Sequence, residues 1–395
     1  MTAPATRRQD VQRPGTVAEA AQLLRDSTGS VLVRGGGTKL GWAGRVSDPD
    51  LLLDTTDLAG VLTHNPGDMT ASVRAGTTLD TLQDHLAESG QWLALDPPSA
   101  ANGATLGGLL AAGDSGPSRL RYGGLRDLVI GVTLVLPDGT VARSGGHVIK
   151  NVAGYDLAKL VHGSLGSLAL IGEVVLRLHP RPPAELTTTG TADATQATAA
   201  ALALAASPLE PAAVEWISGE PGRLLVRFHG TQASVEAAGT RAADLLAGLG
   251  IHADVIEDAA ATWREHGAAV LGADDETVLR IAGLPSGLDH LAGHVVEEAG
   301  RAGLDAHVVS SAALGMHTVR LRGASAPEHA TMLTALREYA AKHRLSLLLR
   351  HRPDDVEDLV DALGPPPSTV ELLRRIKTQF DPTGRLAPGR FQPWY

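Results

Sequence analysis

Two glycine-rich tracts set the first limits on how this chain can fold. One, "RGGGTK" at 34–39, follows the β-like run "SVLVR". The other, "PPSAANGATLGGLLAAGDSGPSRLRYGGLRD" at 97–127, crowds glycine and small residues far beyond the needs of a turn. Without a Cβ, backbone can approach a neighbour or a ligand closely. Successive amide N–H groups in such a loop converge on an anion, whereas a turn that holds nothing needs glycine only for its conformation. The first tract is not a Walker A loop, because no G-x-x-x-x-G-K-[ST] can be laid over it. Nor is it a dinucleotide fingerprint: Leu40 stands where the third glycine of G-x-G-x-x-G would fall. Two separate tracts flanking β structure suggest one long, flat, phosphate-containing cofactor.

The chain has 395 residues, which predicts two domains or three. A net charge of −10 and the lack of a Lys/Arg cluster argue against a nucleic-acid partner, since phosphate neutralisation needs a basic patch. With no cysteine, the chain cannot hold a disulfide, a thiolate zinc site or an iron–sulfur cluster of its own. The N-terminal "MTAPATRRQDVQRPGTVAEAAQLL" has no signal-peptide core and no window reaches the length of a membrane span, so a cytoplasmic location is expected.

Along the chain, Thr16 and Glu19 stand at capping-box spacing and predict a helix from Val17 to about Asp26. "SVLVR", "LLLD" and "MTASVRAG" read as strands, and "TLDTLQDHLAESG" as a helix capped at Gly90. Pro137-Asp138-Gly139 marks a turn between two β runs, and "SLALIGEVVLRLHP" closes this zone as a strand before "HPRPPAE". From 185 to 362 the pattern becomes β-α-β. "RLLVRFHG", "ASVEAAGTRAADLLAGLG" and "IHADVI" make one pass, "ETVLRIAGL", "GLDHLAGHVVEEAGRAG" and "LDAHVVSS" a second. "HTVRLRG", "PEHATMLTALREYAAKH" and "LSLLLR" make a third, less similar one. This predicts an antiparallel sheet with helices on one face, built from a weak duplication.

Taken together, "RGGGTK", "PPSAANGATLGGLLAAG", "RYGGLRDLVIGVTLVLPDG", "VIKNVAGYDLAKLVHGSLGSLALIGEV" and "KTQFDPTGRLAPGRF" resemble the FAD-binding oxidoreductases of the vanillyl-alcohol oxidase and p-cresol methylhydroxylase type. Within that family the likeness is greatest to the smaller FAD-binding subunit of bacterial glycolate oxidase. The resemblance implies an α+β chain. Residues 1–181 would form a two-part FAD-binding domain, 185–362 an antiparallel sheet-plus-helices cap, and 370–395 a return to the FAD domain. It implies that Arg34, Gly35, Gly36, Gly37, Thr38 and Lys39 wrap the FAD pyrophosphate. Pro98, Ser99, Gly103, Thr105, Gly107, Gly108 and Ala111 would line the cofactor toward the ring, with Gly166 and Ile171 near the adenine. Many relatives attach FAD through a histidine in the glycine loop; Thr38 stands there in this chain, so non-covalent FAD is expected.

The chemistry that the resemblance implies is oxidation of a 2-hydroxy acid such as glycolate or D-lactate, with hydride passing to the flavin while a base takes the hydroxyl proton. The substrate carboxylate would want an arginine. Candidates are Arg320, Arg322 and Arg350, with His351 as the base. Arginines alternating along a strand equally mark a solvated face. The metal-binding histidines and late Glu-His-Gly of the larger flavin subunit are missing; "REHG" at 264–267 falls too early. An alternative role is therefore a non-catalytic flavin-binding assembly or electron-relay subunit, or a flavoenzyme for another alcohol or a sugar. Expected partners are a larger FAD-linked oxidase subunit and an iron–sulfur subunit, with membrane association only through them. No metal site is expected, since His290 and His294 lack the zincin glutamate. Ser164 lacks the first glycine of a nucleophile elbow. Lys150, Asn151, Tyr155 and Asp156 crowd a glycine-containing segment that the family places beside the flavin, or that is held by its own hydrogen bonds.

Overall fold

The protein is described by a computed structural model covering residues 10–46, 48–147, 155–323 and 325–395. Its first part holds two small sheets and a two-residue antiparallel ladder between Gln91–Trp92 and His179–Pro180. Strands Asp10–Gln12, Leu51–Asp54 and Val31–Arg34 pair in parallel in that order. The helix Val17–Asp26 packs beside them, its N-terminus closed by Thr16, whose Oγ1 accepts from Glu19 N at 3.1 Å. The C-terminal tail returns to this sheet: Leu386 bridges Val31 in parallel, with Val31 N on Arg385 O and Ala387 N on Val31 O, both at 2.8 Å. The second sheet is antiparallel, in the order Val61–Asn65, Thr70–Arg74, Leu170–Arg177, Val129–Val135, Val141–Gly145. At its last hairpin Gly139, φ +80°, donates to Leu136 O at 2.9 Å, the turn announced by Pro137-Asp138-Gly139.

The cap is one antiparallel sheet of eight strands. Across it lie Ala253–Ile256, Ala184–Thr191, Arg223–Gly230, Ala213–Ile217, Asp305–Ser311, Met316–Arg322, Thr277–Ala282 and Ser346–His351. In sequence these form two βαββαβ units that mirror each other in strand order and meet where Ala213–Ile217 pairs with Asp305–Ser311. The duplication is thus deeper than three β-α-β passes. Its first strand and helix, Ala184–Thr191 and Ala194–Ala205, escaped the pattern because "AELTTTGT" reads as polar, although Thr187 and Thr188 are fully buried. The helices of both units cover one face, burying Leu279, Ile281, Val308, Val319, Leu336 and Leu349. Alternation then turns Glu215, Arg280, Ser311, Thr318 and Arg350 to the opposite face, toward the first part of the chain.

Polar contacts fasten the cap to the first part. Arg227 pairs with Asp96 and donates to Ser118 Oγ at 2.8 Å, while Arg121 Nη1 donates to His229 O at 2.7 Å. Ala43 N donates to Leu349 O at 2.8 Å, and Arg352 Nη1 donates to Gly41 O and Ala43 O at 2.9 and 2.7 Å. No helix among the described residues is long and apolar enough to cross a membrane.

Candidate functional site

The two glycine tracts lie against each other. A Cβ on Gly35 would fall 2.2 Å from Thr105 Oγ1, and one on Gly36 would fall 2.0 Å from Gly103 O, so neither position admits a side chain. Gly37 turns the loop in the left-handed region, φ +74°. Arg34, at the strand's end, is held by Asp54 at 2.8 Å, and its carbonyl accepts from Thr55 N at 2.8 Å. Among the described residues, the N–H groups of Gly35, Gly36, Gly37, Thr38 and Lys39 have no protein acceptor. By contrast, the first N–H groups of the helix Leu106–Ala112 are used, Leu106 N on Thr77 O and Gly107 N on Ala75 O. Five adjacent free donors in an open loop are a nest for an anion.

The loop opens into a cleft of about 710 Å³, lined by Arg34 to Leu40, Thr55, Thr105, Gly107, Gly108, Ala111, Gly166, Ile171 and Arg390 among others. All the residues expected to contact the cofactor border it except Pro98, Ser99 and Gly103. Gly103 packs its carbonyl behind Gly36, and Pro98 faces Gly267 of the cap helix Ala260–Leu271. Ser99, buried, donates to Asp114 Oδ2 at 2.7 Å and accepts from Lys39 Nζ at 2.9 Å. Arg390 went unnoticed in the sequence; its guanidinium donates to the carbonyls of Leu40, Trp42 and Gly44 at 2.7 to 2.9 Å and shapes the loop. Burial, with Arg352 nearby, lowers its pKa to about 10, so it stays charged at neutral pH.

The fit to FAD rests on this geometry. The free N–H groups suit a pyrophosphate and the close-packed glycines suit a flat ligand. The elongated apolar wall of Ala111, Ala112, Ala169 and Ile171 suits its rings.

Lys39 joins this cleft to a second space. Its ammonium points to Thr38 Oγ1 at 2.9 Å and to Asp114 at 3.3 Å, and burial lowers its pKa against the opposing pull of Asp114. Beyond Asp114 lies a chamber of about 430 Å³, bounded by Asp114, Ser115, Glu215, Arg280, Ser311 and Arg350. The Arg350 guanidinium lies 4.3 Å above the Trp42 ring and 3.8 Å from Asp114, too far for a hydrogen bond. Arg280 approaches the same ring at 5.5 Å, and among the described residues it has no ion pair or hydrogen bond. Burial, aided by Arg350, lowers the Arg280 pKa to about 10; burial also lowers that of Arg350. Two desolvated guanidiniums without a hydrogen-bonded anion make the chamber an anion receptor.

Of the residues proposed from sequence for the chemistry, only Arg350 enters the chamber. Arg320, on the same sheet face but beyond the chamber's edge, is saturated by Glu276 at 2.6 and 2.8 Å. Arg322 is exposed and pairs with Asp275 at 3.5 Å. His351, next in sequence to Arg350, donates from Nε2 to Asp274 O at 2.9 Å. His317 borders the chamber but bonds Ser310 at 2.8 Å, and burial lowers its pKa to about 4. His294 stacks on Tyr339 at 4.2 Å, and no group of metal-ligating side chains is found among the described residues. Asp156 caps the helix Leu157–Val161, Tyr155 is exposed, and Lys150 and Asn151 lie outside the described residues.

A family model described as an FAD binding domain matches residues 11–145. Glycolate oxidase subunit GlcE of Escherichia coli (strain K12) is 34% identical over 186 residues, 47% of this chain and 52% of that protein, so the match spans about half the relative's length. An uncharacterized FAD-linked oxidoreductase of Mycobacterium tuberculosis (strain ATCC 25618 / H37Rv) is 28% identical over 98% of this chain and 92% of its own length. Among solved structures, alkyldihydroxyacetonephosphate synthase superposes with a TM-score of 0.69 at 18% identity, covering 96% of this chain and 75% of that one, a likeness of fold. With the nest and the cleft lying in and beside the stretch that the family model matches, residues 11–145 form an FAD binding domain, and the chain as a whole is similar to FAD-linked oxidoreductases.

Proposed function

We propose that this chain binds FAD without a covalent bond and oxidises a small 2-hydroxy acid, glycolate or D-lactate, to the 2-oxo acid. The observation that carries the reading is the pair of buried guanidiniums, Arg280 and Arg350, neither hydrogen-bonded to a carboxylate among the described residues, in a chamber that adjoins the cofactor cleft through Lys39 and Asp114. FAD, when bound, supplies the hydride acceptor. Arg350, seated on Trp42, and Arg280 hold the substrate carboxylate and fix the α-carbon's orientation. Asp114, already against Lys39 and Ser99, keeps that lysine from competing for the substrate anion. Non-covalent attachment is supported by the cleft's lining, which includes Thr38 but no histidine or tyrosine among the described residues.

The relative named as a glycolate oxidase subunit supports a further part of the proposal. This chain works in an assembly with a larger FAD-linked oxidase subunit and an iron–sulfur subunit, in the cytoplasm and at the membrane only through them. The test is the visible spectrum of the FAD-loaded chain, before and after anaerobic glycolate and then D-lactate. Bleaching of the flavin by either acid is the expected result. Flavin that both acids leave oxidised would overturn turnover on this chain and assign it a flavin-holding or electron-relay role.

A further inference from the structure

Oxidation of a hydroxy acid needs a group to take the hydroxyl proton, and two carboxylates face the chamber. Asp114 is ion-paired at both oxygens: Oδ2 accepts from Ser99 at 2.7 Å and meets Lys39 at 3.3 Å, and Oδ1 faces the Arg350 guanidinium at 3.8 Å. Glu215 is different. It sits on the strand Ala213–Ile217, where the two halves of the cap meet, and is 1% exposed. Only one of its oxygens is engaged. Oε2 meets His266 Nε2 at 2.9 Å and accepts from Ser311 Oγ at 3.0 Å, while Oε1 has no protein partner among the described residues. His266 is itself buried, against Trp263, on the cap helix that packs over Pro98. The result is a buried carboxylate whose rear oxygen is fixed by two donors and whose other oxygen is left for whatever enters beside Arg280 and Arg350.

We propose that Glu215 is the general base of the reaction and that His266 and Ser311 are positioning residues acting through it. This rests on the reading of the chain as a 2-hydroxy-acid oxidoreductase. In the step, the α-C–H bond breaks and hydrogen leaves with both electrons for FAD. The hydroxyl O–H bond breaks and its proton passes to Glu215 Oε1, and the C–O single bond becomes the carbonyl of the 2-oxo acid. The substrate would lose two electrons and two hydrogens: Glu215 would take one as a proton, and the other would leave as hydride to the acceptor that FAD would supply when bound. Proton acceptance by a positioned carboxylate contributes about 10²- to 10⁴-fold in rate.

The charged and titratable groups around Glu215 are His266 on the helix Ala260–Leu271, Arg227 on the adjacent strand, and Asp114, Arg280, His317 and Arg350 around the chamber.

The experiment compares the FAD-loaded wild type with Glu215→Gln and His266→Gln in anaerobic flavin reduction by the better of glycolate and D-lactate, between pH 5 and 8. Glu215→Gln is expected to slow reduction by about 10³-fold and to abolish the acidic limb of the rate profile. His266→Gln is expected to displace that limb while keeping most of the rate. Affinity for propionate, an unreactive carboxylate read from the flavin spectrum, should stay within about threefold of wild type in Glu215→Gln, since the arginines are untouched. Glu215→Asp, which draws the carboxylate back by one methylene, should restore the limb at a rate about tenfold below wild type. A Glu215→Gln protein that keeps the wild-type rate and limb would overturn the assignment alone. A wild type whose flavin neither acid bleaches would overturn the substrate reading and the assignment with it.

Discussion

Replacing Arg350 by methionine tests the chamber at its most exposed assumption, that an unmatched guanidinium waits there for a carboxylate. The side chain is 10% exposed, stacked 4.3 Å above Trp42, and 3.8 Å from Asp114. Its removal leaves no carboxylate stranded, because Asp114 keeps Lys39 and Ser99. It also relieves Arg280, whose charge Arg350 opposes. Methionine is close in length and apolar, so the fold should hold within about 1 kcal/mol of wild type or gain slightly, as other buried charges do when replaced by apolar groups. Substrate binding should suffer. A charge-assisted hydrogen bond contributes about 1.5 to 3 kcal/mol, which corresponds to a loss of roughly 10- to 150-fold in kcat/KM. The assay is stopped-flow reduction of the bound flavin across substrate concentrations, with a propionate titration as the binding control. Arg350→Lys should recover only part of the loss, since an ammonium cannot form the planar two-pronged contact. A methionine variant with wild-type half-saturation and propionate affinity would refute the carboxylate receptor.

Three further outcomes follow from the same geometry. Gly36→Ala places a methyl 2.0 Å from Gly103 O. The two tracts must then part by about 1 Å or more to restore contact distance, and FAD retention on a desalting column should be lost. Gly37→Ala, with nothing nearer than 4.0 Å, should bind FAD with only the strain of its positive φ. Arg390→Met orphans the carbonyls of Leu40, Trp42 and Gly44 and should cost roughly 3 kcal/mol or more in urea unfolding, with weaker FAD binding. Stability should also fall in acid. His317 stays neutral in the fold down to about pH 4 against 6.5 when unfolded, because it is buried. The unfolded chain therefore binds more protons between those values, so stability is full above about pH 6.5 and declines by roughly 3 kcal/mol toward pH 4. Burial acts on His162 in the same direction and window. His317→Asn should flatten part of that slope in urea titrations at pH 7 and 4.5.

How much of this was legible in the sequence differs between the two sides of the site. The proposed cofactor side left a trace in the sequence because "RGGGTK" and "NGATLGG" each concentrate glycine, although the close approach that requires it is between the two tracts, Gly35 on Thr105 and Gly36 on Gly103. Lys39 was read with the loop, yet its ammonium turns toward Asp114, a residue 75 positions later, which no local pattern announces. The substrate side was mostly hidden. Glu215, Arg280, Ser311 and Arg350 come from four strands, and only the antiparallel register brings them to one end of one face. Alternation offered Arg320 and Arg322 on equal terms with Arg350. What separates them is Glu276, which saturates Arg320, and plain solvent at Arg322. The duplicated cap was seen as three passes because buried threonines at 187 and 188 read as surface.

One short stretch of backbone ties cofactor and substrate sides together. Residues 35–39 offer the N–H nest; Trp42, three residues on, is the platform for Arg350 and Arg280. The intervening carbonyls are clamped by Arg390 from the C-terminal return and by Arg352 from the cap strand's end, and Ala43 N joins Leu349 of that strand. The stretch cannot shift to admit a pyrophosphate without carrying Trp42, nor can Trp42 move without pulling on Leu349 and so on Arg350. On the proposed function, FAD loading and anchoring of the hydroxy acid would draw on one mechanical element, and any effect of one on the binding of the other would be reciprocal by the same factor. That coupling gives the C-terminal return, with no residue in the chamber, its reason to be there: Arg390 fixes the loop from which both halves of the site are hung.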